Sequence, residues 1–241
     1  MKLFATDYDG TLYLDDKKMK KTVKKLKKLK NNGFIIVIAT GRGYPSIKNQ
    51  SIIHNIPYDY ITCSDGSVIY NNQGIIEKKY LINKEMIKPF EEFYKPINFE
   101  EIQYSYPTGY SNILKEDDDD LIGLNVCVSN ENYTVELVDS FIKMSKNYPE
   151  YSFLNYMHPN FSFLCIKPKG ISKSAAVEFI RKKHKIKKED VYTIGDSAND
   201  YEMIRDYHGV CVNNSVPELF TVAKKSYKSI DNYINDILSE E

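Results

Sequence analysis

Phe34-Ile35-Ile36-Val37-Ile38-Ala39 is an unbroken apolar run rich in β-branched residues. Side chains alternate across a strand, so a strand that is apolar on both faces has to be covered on both faces. That points to a buried, parallel sheet with helices on either side. The chain supplies the neighbouring pieces in order. Leu3-Phe4-Ala5 is a second apolar run close to the N-terminus. In the Lys-rich stretch Asp16–Asn32 between them, Met19, Val23, Leu26 and Leu29 recur at steps of three and four. This is one apolar stripe on a helix, stopped at Gly33, with its lysines on a solvated outer face. Strand, helix, strand predicts a right-handed βαβ unit, with both strand ends at one edge of the sheet.

Polar residues stand at both ends. The first strand runs into Asp7-Tyr8-Asp9-Gly10-Thr11 and the second into Thr40-Gly41-Arg42-Gly43. Residues two apart in extended chain share a face, so Asp7 and Asp9 are expected to point the same way and to need a divalent cation or a shared proton. The same five residues also spell a plain turn, since Asp and Gly are what turns are made of.

A helix over Pro45–Ile53 and a strand over Tyr60–Cys63 follow, then Ser64-Asp65-Gly66-Ser67. A hairpin joins Val68–Tyr70 to Ile75–Tyr80 through Asn71-Asn72-Gln73-Gly74. From about Asn83 the rhythm changes. Lys84–Tyr94 and Asn132–Lys146 read as helices, and Phe99–Ser105, Ile122–Val128, Tyr151–Asn155 and Phe161–Ile166 as strands. This αββαββ order does not continue the βαβ series, so 83–166 is expected to be an α+β module inserted into a domain formed by 1–82 and 167–241. The acidic run Glu116–Asp120 lacks the alternate spacing of a calcium loop and reads as a solvated loop. After Lys167 the α/β pattern returns. Ser172–Lys185 is a helix and Val191–Ile194 a strand, followed by the polar turn Gly195-Asp196-Ser197-Ala198-Asn199-Asp200. Then come a helix over Tyr201–Tyr207, a last strand over Gly209–Val212, and helices over Val216–Ala223 and Ile230–Leu238.

Composition narrows the function classes. Lys+Arg and Asp+Glu are equal at 33 each, which argues against a general nucleic-acid binder. No window approaches the roughly 18 apolar residues of a membrane span, and no signal-peptide pattern precedes the first strand, so a cytoplasmic protein without membrane partners is expected. Cys63, Cys127, Cys165 and Cys211 stand singly in apolar surroundings and read as reduced core residues.

Four segments converge on one sheet edge: Asp7 with Asp9, Thr40 with Gly41, Lys173 at the start of its helix, and Asp196 with Asn199 and Asp200. Clustered carboxylates repel one another, and a hard, oxygen-ligated cation such as Mg2+ resolves that. The order D-x-D-G-T, T-G-R, K in K-G-I-S-K-S, then G-D-S-x-N-D resembles the haloacid dehalogenase (HAD) superfamily of phosphohydrolases. The inserted αββαββ unit is similar to the cap of its Cof-type, C2B-capped sugar-phosphate phosphatases. The resemblance implies a Rossmann-like three-layer α/β core with an inserted cap, and an Mg2+-dependent phosphatase of small phosphorylated metabolites. It implies Asp7 as the nucleophile and Asp9 as the acid/base. Thr40 and Lys173 would hold the phosphoryl oxygens, and Asn199 would steady the phosphate. Asp7, the Asp9 carbonyl, Asp196 and, through water, Asp200 would serve the cation. Gly41 and Arg42 are candidate substrate contacts, with pairing to a surface acid as the other reading of Arg42. Asp65 stands where Asn-Gly is usual, and is expected to pair with Arg42 or the metal. In the inserted module Tyr156, His158 and Asn160 are candidate lid contacts. A phosphomannomutase-like mutase and a phosphate-sensing or receiver-like domain are the alternatives.

Overall fold

The computed structural model describes residues 1–115, 117–157 and 160–239. Within them the chain forms two compact units, Met1–Lys78 together with the segment from Ser172 onward, and Lys79–Ile171.

The first unit is built on the strands foreseen from the apolar runs. Strand β1 (Lys2–Asp7) is followed by helix α1 (Asp16–Asn31), β2 (Phe34–Ala39), α2 (Tyr44–Ile53), β3 (Tyr60–Cys63), β4 (Val68–Asn71) and β5 (Ile76–Lys79). Helix α1 is capped by the Asp15 carboxylate, which accepts from the Lys18 N–H, and the chain leaves it through Gly33 at φ +81°. Its stripe packs inward as spaced, with Met19, Leu26 and Leu29 fully buried and each contributing roughly 1.5–3 kcal/mol by leaving water. All six residues of β2 are buried, as a strand covered on both faces requires.

The second unit holds α3 (Ile87–Tyr94), β6 (Glu101–Tyr106), β7 (Gly109–Ser111), β8 (Gly123–Ser129), α4 (Val135–Ser145), β9 (Tyr151–Met157) and β10 (Phe161–Pro168). Its sheet runs β7-β6-β8-β10-β9, and every neighbouring pair with a described register is antiparallel. Buried residues alternate along β6, so that Ile102, Tyr104 and Tyr106 meet Ile87 and Phe90 of α3 and Phe141 of α4 in one core. Strand β7 was not foreseen. It is three residues long and pairs back on β6 through a turn at Pro107-Thr108, too short for any periodicity to show. The acidic run also differs from a merely solvated loop. Asp118, Asp119 and Asp120 pair with Lys115, Lys84 and Lys79, because the lysines are brought beside it by the fold. Glu116 lies outside the described residues.

The first unit resumes with α5 (Lys173–Lys183), β11 (Val191–Gly195), α6 (Tyr201–Asp206), β12 (Val210–Val212), α7 (Pro217–Phe220), β13 (Ser226–Tyr227) and α8 (Ile230–Ser239). Helix α7 is half the expected length and β12 is not the last strand. After Phe220 the chain turns back so that the Lys224 N–H donates to the Gly209 carbonyl, and β13 adds to the sheet edge beside β12. The sheet order is β13-β12-β11-β1-β2-β3-β4-β5. It is parallel from β13 to β3 and antiparallel between β3 and β4. Leu3, Ala5, Ile35 and Val37 share one core with Ala176, Val177 and Ile180 of α5, Met203 and Ile204 of α6, and Leu219 of α7. On the other face Phe4 meets Tyr233 of α8. The result is a Rossmann-like three-layer α/β core with an inserted α+β cap domain. All four cysteines are buried, and none forms a disulfide among the described residues.

Candidate active site

Register decides what meets at the sheet edge. Asp7 stands opposite Ala39, and Thr6 opposite Ile194, so β1, β2 and β11 end together. The next residues, Tyr8, Thr40 and Asp196, therefore leave the sheet side by side, at the edge where open α/β sheets carry their sites.

Lys173, the first residue of α5, is the cation of the cluster. Its Nζ donates to Asp7 Oδ1 at 2.6 Å and to Asp200 Oδ1 at 2.7 Å, with 1% of the side chain exposed. Burial pulls its pKa down, but Asp200 and Asp7 outweigh that and hold the ammonium above the usual lysine range. Asp7 is pushed the other way. Burial raises its carboxyl well above the ordinary value, Lys173 opposes this, and Asp200 and Asp196 add to it.

Asp200 is fully buried and committed. Its Oδ2 accepts the N–H groups of Asp196 and Ser197, each at 3.0 Å, while the Ser197 side chain and the Asp200 N–H close the reciprocal cap. Asp196 Oδ1 accepts from the Thr11 hydroxyl at 2.7 Å and Oδ2 from the Ser197 hydroxyl at 3.1 Å. Burial raises the Asp196 carboxyl as well, against the Thr11 hydrogen bond. Gly10, at φ +83°, passes so close that a Cβ there would lie 2.4 Å from Asp196 Oδ2.

Asp7, Asp196 and Asp200 offer carboxylate oxygens that lie within 4.8 Å of one another. Asp7 Oδ2 is buried with no hydrogen-bond partner among the described residues. An orphaned carboxylate oxygen, beside a second carboxylate raised by burial, is what a hard divalent cation with oxygen ligands fits. Asp200, with both oxygens engaged, holds the Asp196 turn and Lys173 in place.

Asp9 lies beyond the end of β1. The chain stops being extended after Asp7, turns at Tyr8, and Asp9 bridges to Tyr13, so the two-residue rule no longer applies. Its carboxylate is half exposed and is gripped by Arg42, Nε to Oδ2 at 2.7 Å and Nη2 to Oδ1 at 2.6 Å. The guanidinium lies 5.1 Å from the Tyr8 ring centroid. Arg42 thus takes the acid-pairing reading. Thr40 is buried and its Oγ1 accepts the Arg42 N–H at 3.1 Å, while its own N–H donates to the Thr62 carbonyl at 3.0 Å.

Asp65 stands against Asn199. Arg42 is taken by Asp9, and Asp65 Oδ1 accepts from Asn199 Nδ2 at 2.9 Å, leaving Asn199 Oδ1 buried and unpartnered among the described residues. Thr11, Ser197 and Tyr8 went unassigned in the sequence reading. Thr11 alone carried a signal, as the last residue of the D-x-D-G-T turn. Tyr156 lies in β9 and Asn160 just before β10, whereas His158 falls outside the described residues.

No helix among the described residues is long and apolar enough to cross a membrane. Over most of its length the chain is similar to known proteins. A phosphoglycolate phosphatase of Staphylothermus marinus is 23% identical over 91% of this chain and 88% of its own. A haloacid dehalogenase-like hydrolase from B. subtilis superposes with a TM-score of 0.79 at 17% identity, covering 100% of this chain and 99% of that one. A sugar phosphatase of HAD subclass IIB gives 0.75 at 17% identity, covering 98% and 99%. The family model of haloacid dehalogenase-like hydrolases matches residues 4–136 and 100–233, which takes in the loops carrying Asp7, Thr40, Lys173 and Asp196. The chain belongs to the haloacid dehalogenase-like hydrolase family.

Proposed function

We propose that the protein is an Mg2+-dependent phosphomonoester hydrolase of small phosphorylated metabolites, sugar phosphates or phosphorylated cofactors, with Asp7 as its nucleophile. The observation that carries this reading is the state of the Asp7 carboxylate. One oxygen is fixed by Lys173 and the other is buried without a partner.

Asp7 attacks phosphorus through a carboxylate oxygen while the bond to the leaving oxygen breaks, giving an aspartyl phosphate. Asp9 gives its proton to the leaving oxygen. It then takes a proton from the water that attacks phosphorus, which releases phosphate and restores the Asp7 carboxylate. Lys173 offsets charge on the phosphoryl oxygens, and the Thr40 hydroxyl and the Gly41 N–H orient them. Asp7, Asp196 and the Asp9 carbonyl would hold the cation and Asp200 would support it. When bound, the cation supplies positive charge against the carboxylates and the phosphoryl group. Residues 83–166 are read as a C2B-type cap of the Cof class. The names of the similar proteins, a phosphoglycolate phosphatase and a subclass IIB sugar phosphatase, support a small phosphorylated metabolite as substrate.

The test is phosphate release from a panel of phosphorylated sugars, cofactors and nucleotides, with and without Mg2+. Metal-dependent turnover that is lost in Asp7→Asn is expected. Activity intact in Asp7→Asn, or no release from any member, contradicts the reading.

A further inference from the structure

Tyr8, the residue between the two aspartates of D-x-D, is fully buried. Its hydroxyl donates to Gln50 Oε1 of α2 at 3.3 Å. The Tyr13 ring stacks with it, 5.6 Å between centroids and 7° from parallel. Tyr13 is anchored in turn. Its hydroxyl donates to Asp16 Oδ1 at 3.1 Å, His54 Nε2 lies 3.7 Å from the same oxygen, and the His54 ring centroid stands 5.4 Å from that of Tyr13.

The Arg42 guanidinium lies over the Tyr8 ring at 5.1 Å from its centroid, inside the range of about 6 Å in which a ring face attracts a cation. Nη1 donates to the Ser46 hydroxyl at 3.2 Å, and Nε and Nη2 are the two groups that grip Asp9. The backbone that carries Asp9 runs between the same two rings and closes on itself. The Tyr13 N–H donates to the Tyr8 carbonyl at 2.7 Å and the Gly10 N–H to the Tyr13 carbonyl at 3.2 Å. Asp9 is thus held twice, through its loop and through its carboxylate, and both supports rest on the stacked tyrosines. Burial alone asks only for an apolar side chain at position 8. A ring face adds the attraction that keeps a guanidinium in one place.

We propose that Tyr8, backed by Tyr13, is a positioning residue for Asp9: the ring fixes the Arg42 guanidinium, and the guanidinium fixes the carboxylate that gives and takes the proton. The inference rests on the acid/base role given to Asp9 above. As Asp9 releases its proton to the leaving oxygen, negative charge appears against a cation already in place, so no reorganisation is needed at that moment.

Two leaving groups separate this role from packing. An alkoxide departs with difficulty unless it takes a proton as the bond breaks, whereas p-nitrophenolate is a weak base and departs without one. The measurement is kcat/KM, which covers the steps up to transfer to Asp7, for p-nitrophenyl phosphate and for the sugar phosphate that the wild type hydrolyses fastest. Tyr8→Leu is expected to lower the value for the sugar phosphate about tenfold and to leave that for p-nitrophenyl phosphate within about threefold. Tyr8→Phe keeps the ring and is expected to restore the sugar phosphate. Tyr13→Leu, which removes the stacking partner from a less buried position, is expected to show the same selective loss. In an Asp9→Asn background, Tyr8→Leu should lower neither value further, because a residue that acts through Asp9 has nothing left to position. Equal loss on both substrates in both leucine variants, no loss in either, failure of Tyr8→Phe to restore, or additive losses in the double variant overturns the proposal and leaves the role of Asp9 standing. Asp9→Asn is read by itself. If it does not lose the sugar phosphate selectively, or if the wild type turns over neither substrate, the acid/base role falls and the proposal falls with it.

Discussion

Arg42 holds both carboxylate oxygens of Asp9 in a two-pronged contact, 2.7 Å from Nε and 2.6 Å from Nη2. Both side chains are partly exposed, so the pair adds only about 0–1 kcal/mol to stability. Its effect is to aim the carboxylate. Arg42→Ala is therefore expected to leave the thermal midpoint nearly unchanged and to lower kcat/KM about tenfold. Arg42→Lys should not restore it, because a point charge cannot hold both oxygens. Wild-type kcat/KM in Arg42→Ala would show that Asp9 needs no such guide.

Lys173 sits between two buried carboxylates, and removing one partner of a buried ion pair costs about 3–5 kcal/mol. Lys173→Met should show a loss of this size in urea denaturation at neutral pH, with part recovered when Mg2+ supplies the missing countercharge. A loss below about 1 kcal/mol would mean that the carboxylates are not unpaired charges in the variant.

Burial raises the Asp7 carboxyl, with Lys173 opposing and Asp200 and Asp196 adding. A carboxyl whose folded value stands above its unfolded one stabilises the metal-free fold fully below the unfolded value, and that contribution is lost as pH rises through the raised value. Below the raised value the carboxyl carries a proton, which must leave when a cation arrives. Calorimetry of Mg2+ binding in buffers of different ionisation enthalpy should report proton release, and affinity should fall as pH is lowered. Heats independent of buffer would contradict this.

Away from the site, Glu178 is held down at about 2 from an ordinary 4.5, by the hydrogen bond from Arg181 first, with burial opposing and Tyr207 and Lys182 assisting. Its contribution to stability is complete above the unfolded value and is lost as pH falls through the folded one. Glu178→Gln should flatten the acid limb of stability against pH between those values. A limb identical to wild type would count against the network.

Gly10 has no room for a side chain, since a Cβ would stand 2.4 Å from Asp196 Oδ2 on a backbone at φ +83°. Gly10→Ala should carry about 1–3 kcal/mol of strain and push Asp196 aside. Mg2+ affinity should fall about tenfold or more, in line with the loss of a ligand-orienting contact. Unaltered Mg2+ binding would argue that Asp196 can move without cost to the site.

Most of the core was legible because its signals are long or doubly constrained. The stripe of α1 and the two-sided burial of β2 follow from periodicity, and the register of β1, β2 and β11 then carries Asp7, Thr40 and Asp196 to one edge. What escaped depends on local turns and on partners distant in sequence. Strands β7 and β13 are three and two residues long and exist only through their pairing. The direction of Asp9 depends on where the chain ceases to be extended. The pairing of Asp65 with Asn199 joins residues 134 apart across three tight turns, which no spacing rule encodes. Lys173 is singled out in the sequence by its K-G-I-S-K-S context, whereas the two buried carboxylates that fold around it are visible only in the structure.

The account stands or falls on whether Asp7 itself takes the phosphoryl group. The direct measurement is to incubate the Asp9→Asn variant with acetyl phosphate and Mg2+, quench in acid, reduce with borohydride and sequence the protein by mass spectrometry. An aspartyl phosphate at Asp7 would appear as homoserine at position 7, absent from Asp7→Asn. Metal-dependent phosphate release by the wild type with homoserine at no position, or at a different aspartate, would contradict the assignment.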